Sequence, residues 1–210
     1  MVPLEELQQY CSGKQIIIVG NSSSMLNSKY RNIIDKYDIV VRINRGYQSN
    51  QHLYDDYLGT KTNVLSIGVK SAVMANRIIK NNDVDYIVSP IIYSERLNYP
   101  NVYDIEHDVY NSLKQSLGGA KPSTGISTYN FFNRFMNFER LDLIGFDFFE
   151  SSTRQRNELG HLYVDDHHGI NEMKFFESTL DPTKTLLHKT EGGSSFPQNN
   201  NIPKYIIKHK

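Results

Sequence analysis

The stretch Ile16-Ile17-Ile18-Val19-Gly20-Asn21-Ser22-Ser23-Ser24 decides the fold. Four consecutive β-branched apolar residues read as a strand buried on both faces, and Gly20 with the small polar residues after it reads as the turn that ends it. Such a turn lets backbone N–H groups and short side chains approach a phosphate or a ribose. It lacks the second and third glycines of the dinucleotide fingerprint, and no Gly-Lys-Ser/Thr follows as in a P-loop. An ordinary polar turn is the plainer alternative.

Outward from this stretch the same pattern recurs. Asp38–Ile43, Asn63–Ile67, Tyr86–Ser89 (stopped by Pro90), Leu141–Gly145 and Thr185–His188 read as further strands. Helix-like segments lie between them near Ser71–Asn81, Asp104–Leu117, Gly125–Asn137 and Gly169–Leu180. Short apolar strands alternating with helices predict an α/β fold, a mostly parallel sheet with helices on both faces. Ligands of such folds sit beyond the carboxyl ends of the strands, so functional motifs are expected in strand-to-helix loops.

The chain has 210 residues, which fits one domain spanning 1–210. Thr190–Pro203, rich in Gly, Ser and Asn, reads as a flexible loop, and Lys204–Lys210 as a solvated basic tail. Lys plus Arg and Asp plus Glu are 23 each, so no global basic field exists to hold nucleic acid and any anion site must be local. Cys11 is the single cysteine, which rules out an internal disulfide and fits a reducing, cytoplasmic setting. The opening Met1–Glu6 has neither the basic start nor the apolar run of a signal peptide, and no stretch reaches the ~18–20 apolar residues of a membrane span. A soluble protein is expected.

Three further constellations carry candidate chemistry. Arg42, Asn44 and Arg45 leave the second strand together, and arginine pairs bidentately with carboxylate or phosphate. A pair of surface arginines is the alternative. Lys121-Pro122-Ser123-Thr124-Gly125 precedes a helix, whose capping residues and N–H groups favour an anion, although a ligand-free cap has the same letters. His161 to Glu172 packs His161, Asp165, Asp166, His167, His168 and Glu172 into twelve positions. Histidine with carboxylate suits general acid/base work near neutral pH, and the same residue types bind metals.

In order and spacing these constellations resemble the motifs of the sialyltransferase family, glycosyltransferase family 29. Val19–Ser22, Ile34-Asp35, Asp38–Asn44 and Gly59–Thr62 look like its large sialylmotif. Pro122–Gly125 with Leu143–Phe146 looks like the small one. His161-Leu162-Tyr163 is similar to the third motif, with Leu162 where an aromatic is usual, and His167 with Glu172 matches the His-x-x-x-x-Glu of the very small motif. The match runs from about Ile16 to Glu172.

The resemblance implies a single Rossmann-type unit of variant GT-A-like fold that needs no metal or other cofactor and takes a CMP-sugar as donor and a glycan as acceptor. It implies donor binding by Asn21, Ser22, Asn44, Ser123, Thr124 and Gly125, with Arg42 or Arg45 facing the donor carboxylate on chemical grounds. It makes His167 the general base and His161 the phosphate contact; on chemical grounds Glu172 or Asp166 orients the His167 ring. The family's membrane anchor, stem and paired cysteines have no counterpart here, as in a compact microbial or viral version. Sialic acid and Kdo, both CMP-activated 2-keto acids, remain open as the transferred sugar. Two other classes remain open as well. One is a metal-dependent hydrolase or nucleotide transferase built on Asp165-Asp166-His167-His168; the other is a non-catalytic nucleotide- or glycan-binding domain.

Overall fold

The computed structural model of the chain describes residues 2–44, 54–68, 72–80, 83–90, 97–148, 169–190 and 206–208. Its strands are β1 (Gln15–Val19), β2 (Ile39–Ile43), β3 (Val64–Ser66), β4 (Tyr86–Ser89), β5 (Val102–Asp104), β6 (Arg140–Ile144), β7 (Thr185–Lys189) and β8 (Ile206–Lys208). They form one sheet of eight in the order β5-β4-β3-β2-β1-β6-β7-β8, and every pairing is parallel. The helices are α1 (Leu4–Cys11), α2 (Arg31–Ile34), α3 (Asp55–Leu58), α4 (Ala72–Lys80), α5 (His107–Ser116), α6 (Thr124–Phe135) and α7 (Gly169–Thr179), with a 3-10 turn at Ser23–Leu26. The α/β expectation holds, and all six expected strands are present.

The central strands are mostly apolar because both faces are covered. Ile16, Ile18, Val41, Val64 and Leu141 point to one face, where Leu7 and Cys11 of α1, Leu113 of α5, Ile126, Tyr129 and Phe132 of α6 and Phe176 of α7 pack on them. Ile17, Val19, Val40 and Ile144 point to the other, under Met25, Ile34 and Leu58. On that same face Leu65, Ile67 and Ile87 meet Ala75, Ile78 and Ile79 of α4. Each such side chain, fully buried, contributes ~1.5–3 kcal/mol of transfer free energy. Cys11 lies in this core, and burial pushes its thiol up to about 12, so it stays a protonated apolar group.

The connections after β1, β2 and β3 run over the second face, and those between β5 and β6 and between β6 and β7 run over the first. The chain therefore winds in opposite senses from two adjacent strands, β1 and β6. The crevice between their carboxyl ends is the topological switch point, where open parallel sheets bind ligands.

Three elements differ from the sequence reading. Asp104 ends β5, beside Ser89 of β4, and α5 begins three residues later at His107. Ile206–Lys208 pairs with Leu187–Lys189 as an edge strand, where a solvated tail was expected. α1 was not anticipated; Leu7 and Cys11, one turn apart, form its buried stripe. Of Thr190–Pro203 only Thr190 is described; it is buried, and its hydroxyl meets that of Ser24. No helix among the described residues is long and apolar enough to cross a membrane.

Candidate functional site

The turn after β1 is built on a close approach. Gly20 N–H donates to Ile144 O (2.7 Å), and a Cβ on Gly20 would lie 2.2 Å from the Gly145 carbonyl oxygen. Only glycine allows the ends of β1 and β6 to come this near. Gly145 itself has φ +73°, the left-handed region. Asn21 emerges from this turn. Its Nδ2 donates to Ile43 O at the end of β2 (3.2 Å), while its Oδ1 is buried and meets no hydrogen-bond partner among the described residues. An orphaned buried acceptor costs ~1–3 kcal/mol and is the mark of a group waiting for a donor.

Asn44 follows β2 with φ +51°, a conformation Asn tolerates better than most residues. Its backbone N–H donates to Ser66 O (2.7 Å), its Oδ1 accepts from Gly68 N–H (2.8 Å), and its Nδ2 donates to Thr124 Oγ1 (3.2 Å). One amide thus ties the ends of β2 and β3 to the start of α6. A Cβ on Gly68 would lie 2.1 Å from Thr124 Oγ1, so this contact too requires glycine.

α6 brings its N-terminus to the carboxyl ends of the strands. Ser123 caps it, accepting from Ile126 N–H (3.2 Å). The N–H groups of Thr124 and Gly125 open the helix with no acceptor among the described residues, as the first turn of a helix leaves them. Gly125 lies against Phe146 and Ile43, where a Cβ would be 2.8 Å from the Phe146 ring. Asn21, Asn44, Thr124 and Gly125 are therefore gathered at the carboxyl ends of the strands, an acceptor without a partner among the described residues near the positive end of a helix.

Several expected donor-binding residues have other work. Arg42 is 1% exposed; its Nε donates to Lys61 O (3.1 Å) and Thr62 Oγ1 (2.9 Å), and its Nη2 to Leu58 O (2.7 Å). It knots the loop between α3 and β3 on the face away from α6. Asp35 completes the knot by accepting from Thr60 and Lys61 N–H (3.0 and 3.1 Å). Ser22 is 5% exposed; its hydroxyl donates to Asp147 (2.8 Å) and also lies 2.6 Å from Ser24 Oγ. Ser123 spends its N–H and O–H on the two oxygens of Glu172 (2.7 and 2.8 Å). Glu172, 3% exposed and in the first turn of α7, thus locks that helix to the start of α6. Arg42, Ser22 and the Ser123 side chain thus make hydrogen bonds that hold the frame around the strand ends. Arg45, His161, Asp165, Asp166, His167 and His168 lie outside the described residues.

Sequence reasoning missed Gly68 and Asp147 and noted Phe146 only as part of a motif, not as a site residue. Each follows a strand by two or three positions, as Asn21 follows β1, and that shared offset is the signal that would have found them.

Residues 5–99 match the model of glycosyltransferase family 29 (sialyltransferase). Among curated proteins of Arabidopsis thaliana, a β-1,6-galactosyltransferase is 40% identical over 47 residues, 22% of this chain and 11% of that protein. Sialyltransferase-like protein 2 is 26% identical over 132 residues, 61% of this chain and 29% of that one. The chain thus spans less than a third of the length of these relatives. A mammalian sialyltransferase solved with a Gal-β-1-3GalNAc compound superposes with TM-score 0.57 at 18% identity, covering 91% of this chain and 74% of the other. The sialyltransferase CstII solved with CMP gives TM-score 0.53 at 18% identity, covering 83% and 80%. The sheet and helices described above are therefore the variant GT-A-like fold of these sialyltransferases, and the first half of the chain resembles glycosyltransferase family 29.

Proposed function

We propose that this protein is an inverting glycosyltransferase that moves a sialic acid or related 2-keto sugar acid such as Kdo from a CMP-sugar donor to a glycan hydroxyl. The observation that carries the reading is Asn21, whose buried Oδ1 has no hydrogen-bond partner among the described residues and lies at the strand ends where α6 also begins. An acceptor there suits a ribose hydroxyl or the cytosine amino group, and helix N–H groups suit a phosphate. The CMP held by CstII in its solved complex supports the nucleotide.

The chemistry follows from the leaving group. As the glycosidic bond to phosphate breaks, negative charge grows on CMP, and the Thr124 and Gly125 N–H groups with the α6 dipole oppose it. His161 adds a further donor to that phosphate. The acceptor hydroxyl is too weak an acid to ionise beforehand, so His167 takes its proton as the new bond forms, worth about 10²–10⁴-fold in rate. Glu172 acts by fixing the start of α6, beyond any part in orienting the ring. No metal is needed in this scheme, because protein N–H groups and imidazole carry the charge. With Cys11 buried and unpaired, a cytoplasmic setting suits the protein.

The test is release of CMP from CMP-sialic acid and CMP-Kdo with a panel of glycans, with EDTA present. Protein-dependent release that survives EDTA is expected. Turnover that EDTA abolishes and manganese or zinc restores would replace this reading with the metal-dependent one.

A further inference from the structure

A groove of about 540 Å³ lies between the end of α5 and one side of α7, apart from the strand-end residues described above. That volume falls within the ~300–1,000 Å³ typical of small-molecule sites. Asn171, Lys174, Phe175 and Ser178 line it from α7, at the spacing that brings side chains to one side of a helix. Ser116 and Gly118 line it from the other wall. Asn171 Nδ2 donates to Leu117 O (3.0 Å), which holds the two walls together. The Ser116 hydroxyl donates to Ser112 O (3.0 Å) and the Ser178 hydroxyl to Phe175 O (2.8 Å). These bonds fix the three side chains in place and leave their oxygens able to accept. Phe175 packs on the core but is only half-buried, so apolar ring surface remains in the groove. Lys174 is exposed and has no ion-pair partner among the described residues, and the lining holds no carboxylate.

Fixed acceptor oxygens, an aromatic surface and an ammonium suit a sugar chain that carries an acid. Sugar hydroxyls donate to the oxygens, the C–H face of a sugar ring packs on Phe175, and a carboxylate pairs with Lys174. Position links the groove to the proposed reaction. Asn171 precedes Glu172, whose carboxylate holds the head of α6 at the strand ends. From Asn171 to Ser178 the helix rises about 10 Å, the scale of a short oligosaccharide. Resting on the glycan-acceptor part of the proposed function, we infer that the α5–α7 groove is a second carbohydrate site, which holds an acidic outer portion of the acceptor glycan away from the reacting hydroxyl. Lys174 and Phe175 are then specificity residues that choose among glycans and leave the donor untouched.

Amide chemical-shift titrations of the full chain test this with two probes: 3′-sialyllactose, which carries a carboxylate, and lactose, which does not. The acidic sugar should shift amides within 171–178 and bind about 3–10-fold tighter than lactose, the scale of one hydrogen bond to a charge. Lys174→Met should bring it down to the lactose level, and Lys174→Arg should restore most of the difference. Phe175→Leu should weaken both sugars at least ~2-fold, with CMP affinity within about twofold of wild type in every variant. A preference that survives Lys174→Met, or shifts confined to other parts of the chain, overturns the groove. So does displacement by equimolar inorganic sulfate, which would make it a plain anion site. A chain that binds CMP and neither sugar overturns the groove while the nucleotide site stands; one that binds the sugars as predicted and not CMP supports the groove and removes the donor reading. If thermal melts show that Phe175→Leu does not fold, the Lys174 variants, at an exposed position, carry the test.

Discussion

Asn21 and Arg42 both sit at strand ends inside the motif-like region, yet their side chains have opposite employment. Arg42 spends its guanidinium on Leu58, Lys61 and Thr62, and Asn21 keeps a buried oxygen unpaired. Asn21→Ala should therefore weaken CMP binding by about 10-fold or more at little cost in stability, the worth of one to two hydrogen bonds. Arg42→Ala should lower stability by ~2–4 kcal/mol, since it strips three buried carbonyl and hydroxyl acceptors of their donor. Urea melts alongside CMP titrations separate the two; an Asn21→Ala chain as unstable as Arg42→Ala, with CMP affinity intact, would make Asn21 a frame residue too. The histidines divide by role. His167→Ala should reduce turnover by about 10²-fold or more with CMP affinity near wild type, because a base acts in the transition state. His161→Ala should weaken CMP as well, and His168→Ala should matter least. A dead His168→Ala beside an active His167→Ala would mean that the motif register is one residue off. At this scale the sequence was partly legible. Polar letters after a strand marked the loop, but Ser22 and Ser123 look like ligand groups until Asp147 and Glu172, 125 and 49 residues away, are folded against them.

α6 is the element on which the site turns, because it sets Thr124 against both Asn44 and Gly68. That contact predicts the effect of one added methyl. In Gly68→Ala the Cβ would meet Thr124 Oγ1 at 2.1 Å, so Thr124 must move and the Asn44–Thr124 bond must break. Overpacking of this kind costs ~1–3 kcal/mol, and CMP affinity should fall with it. Gly13→Ala is the control, since its Cβ meets nothing within 4 Å although its φ of +66° strains any side chain. A Gly68→Ala chain that keeps full CMP affinity would detach the end of β3 from the site. Six strands and four long helices were legible because each is a continuous apolar run or a full amphipathic period. β5 and β8 were not: three residues give no period, and only pairing with β4 and β7 makes them strands.

Strand order belongs to the whole molecule, and it was not legible from the apolar runs, since nothing in Leu141–Ile144 says that it returns beside β1. A buried polar cluster stabilises that return. Asp142 in the middle of β6 is 0% exposed; it accepts from Tyr37 O–H and Leu186 N–H (3.1 Å), with Arg140 Nε and His188 Nε2 2.9 and 3.0 Å from its Oδ2. Burial alone would raise its pKa, but hydrogen bonds from His188, Arg140 and Tyr37 outweigh burial and hold it below the usual carboxylate range. The folded state thus binds its proton less readily than the unfolded chain, with its value near ~3.9. The stabilisation is fully present above that value and is lost as pH falls through the lower folded pKa. Asp142→Asn should accordingly be less stable at pH 7, and the gap in Tm should narrow as pH falls below about 4; a gap constant from pH 7 to 3 would assign Asp142 no ionic part. The central claim is that the crevice between β1 and β6 is a cytidine-nucleotide site. Titrating CMP and UDP into the full chain in EDTA, by calorimetry, tests it most directly. One CMP bound per chain, at least ~10-fold tighter than UDP, is the predicted result; UDP bound equally well or better, or no CMP bound at all, would contradict it.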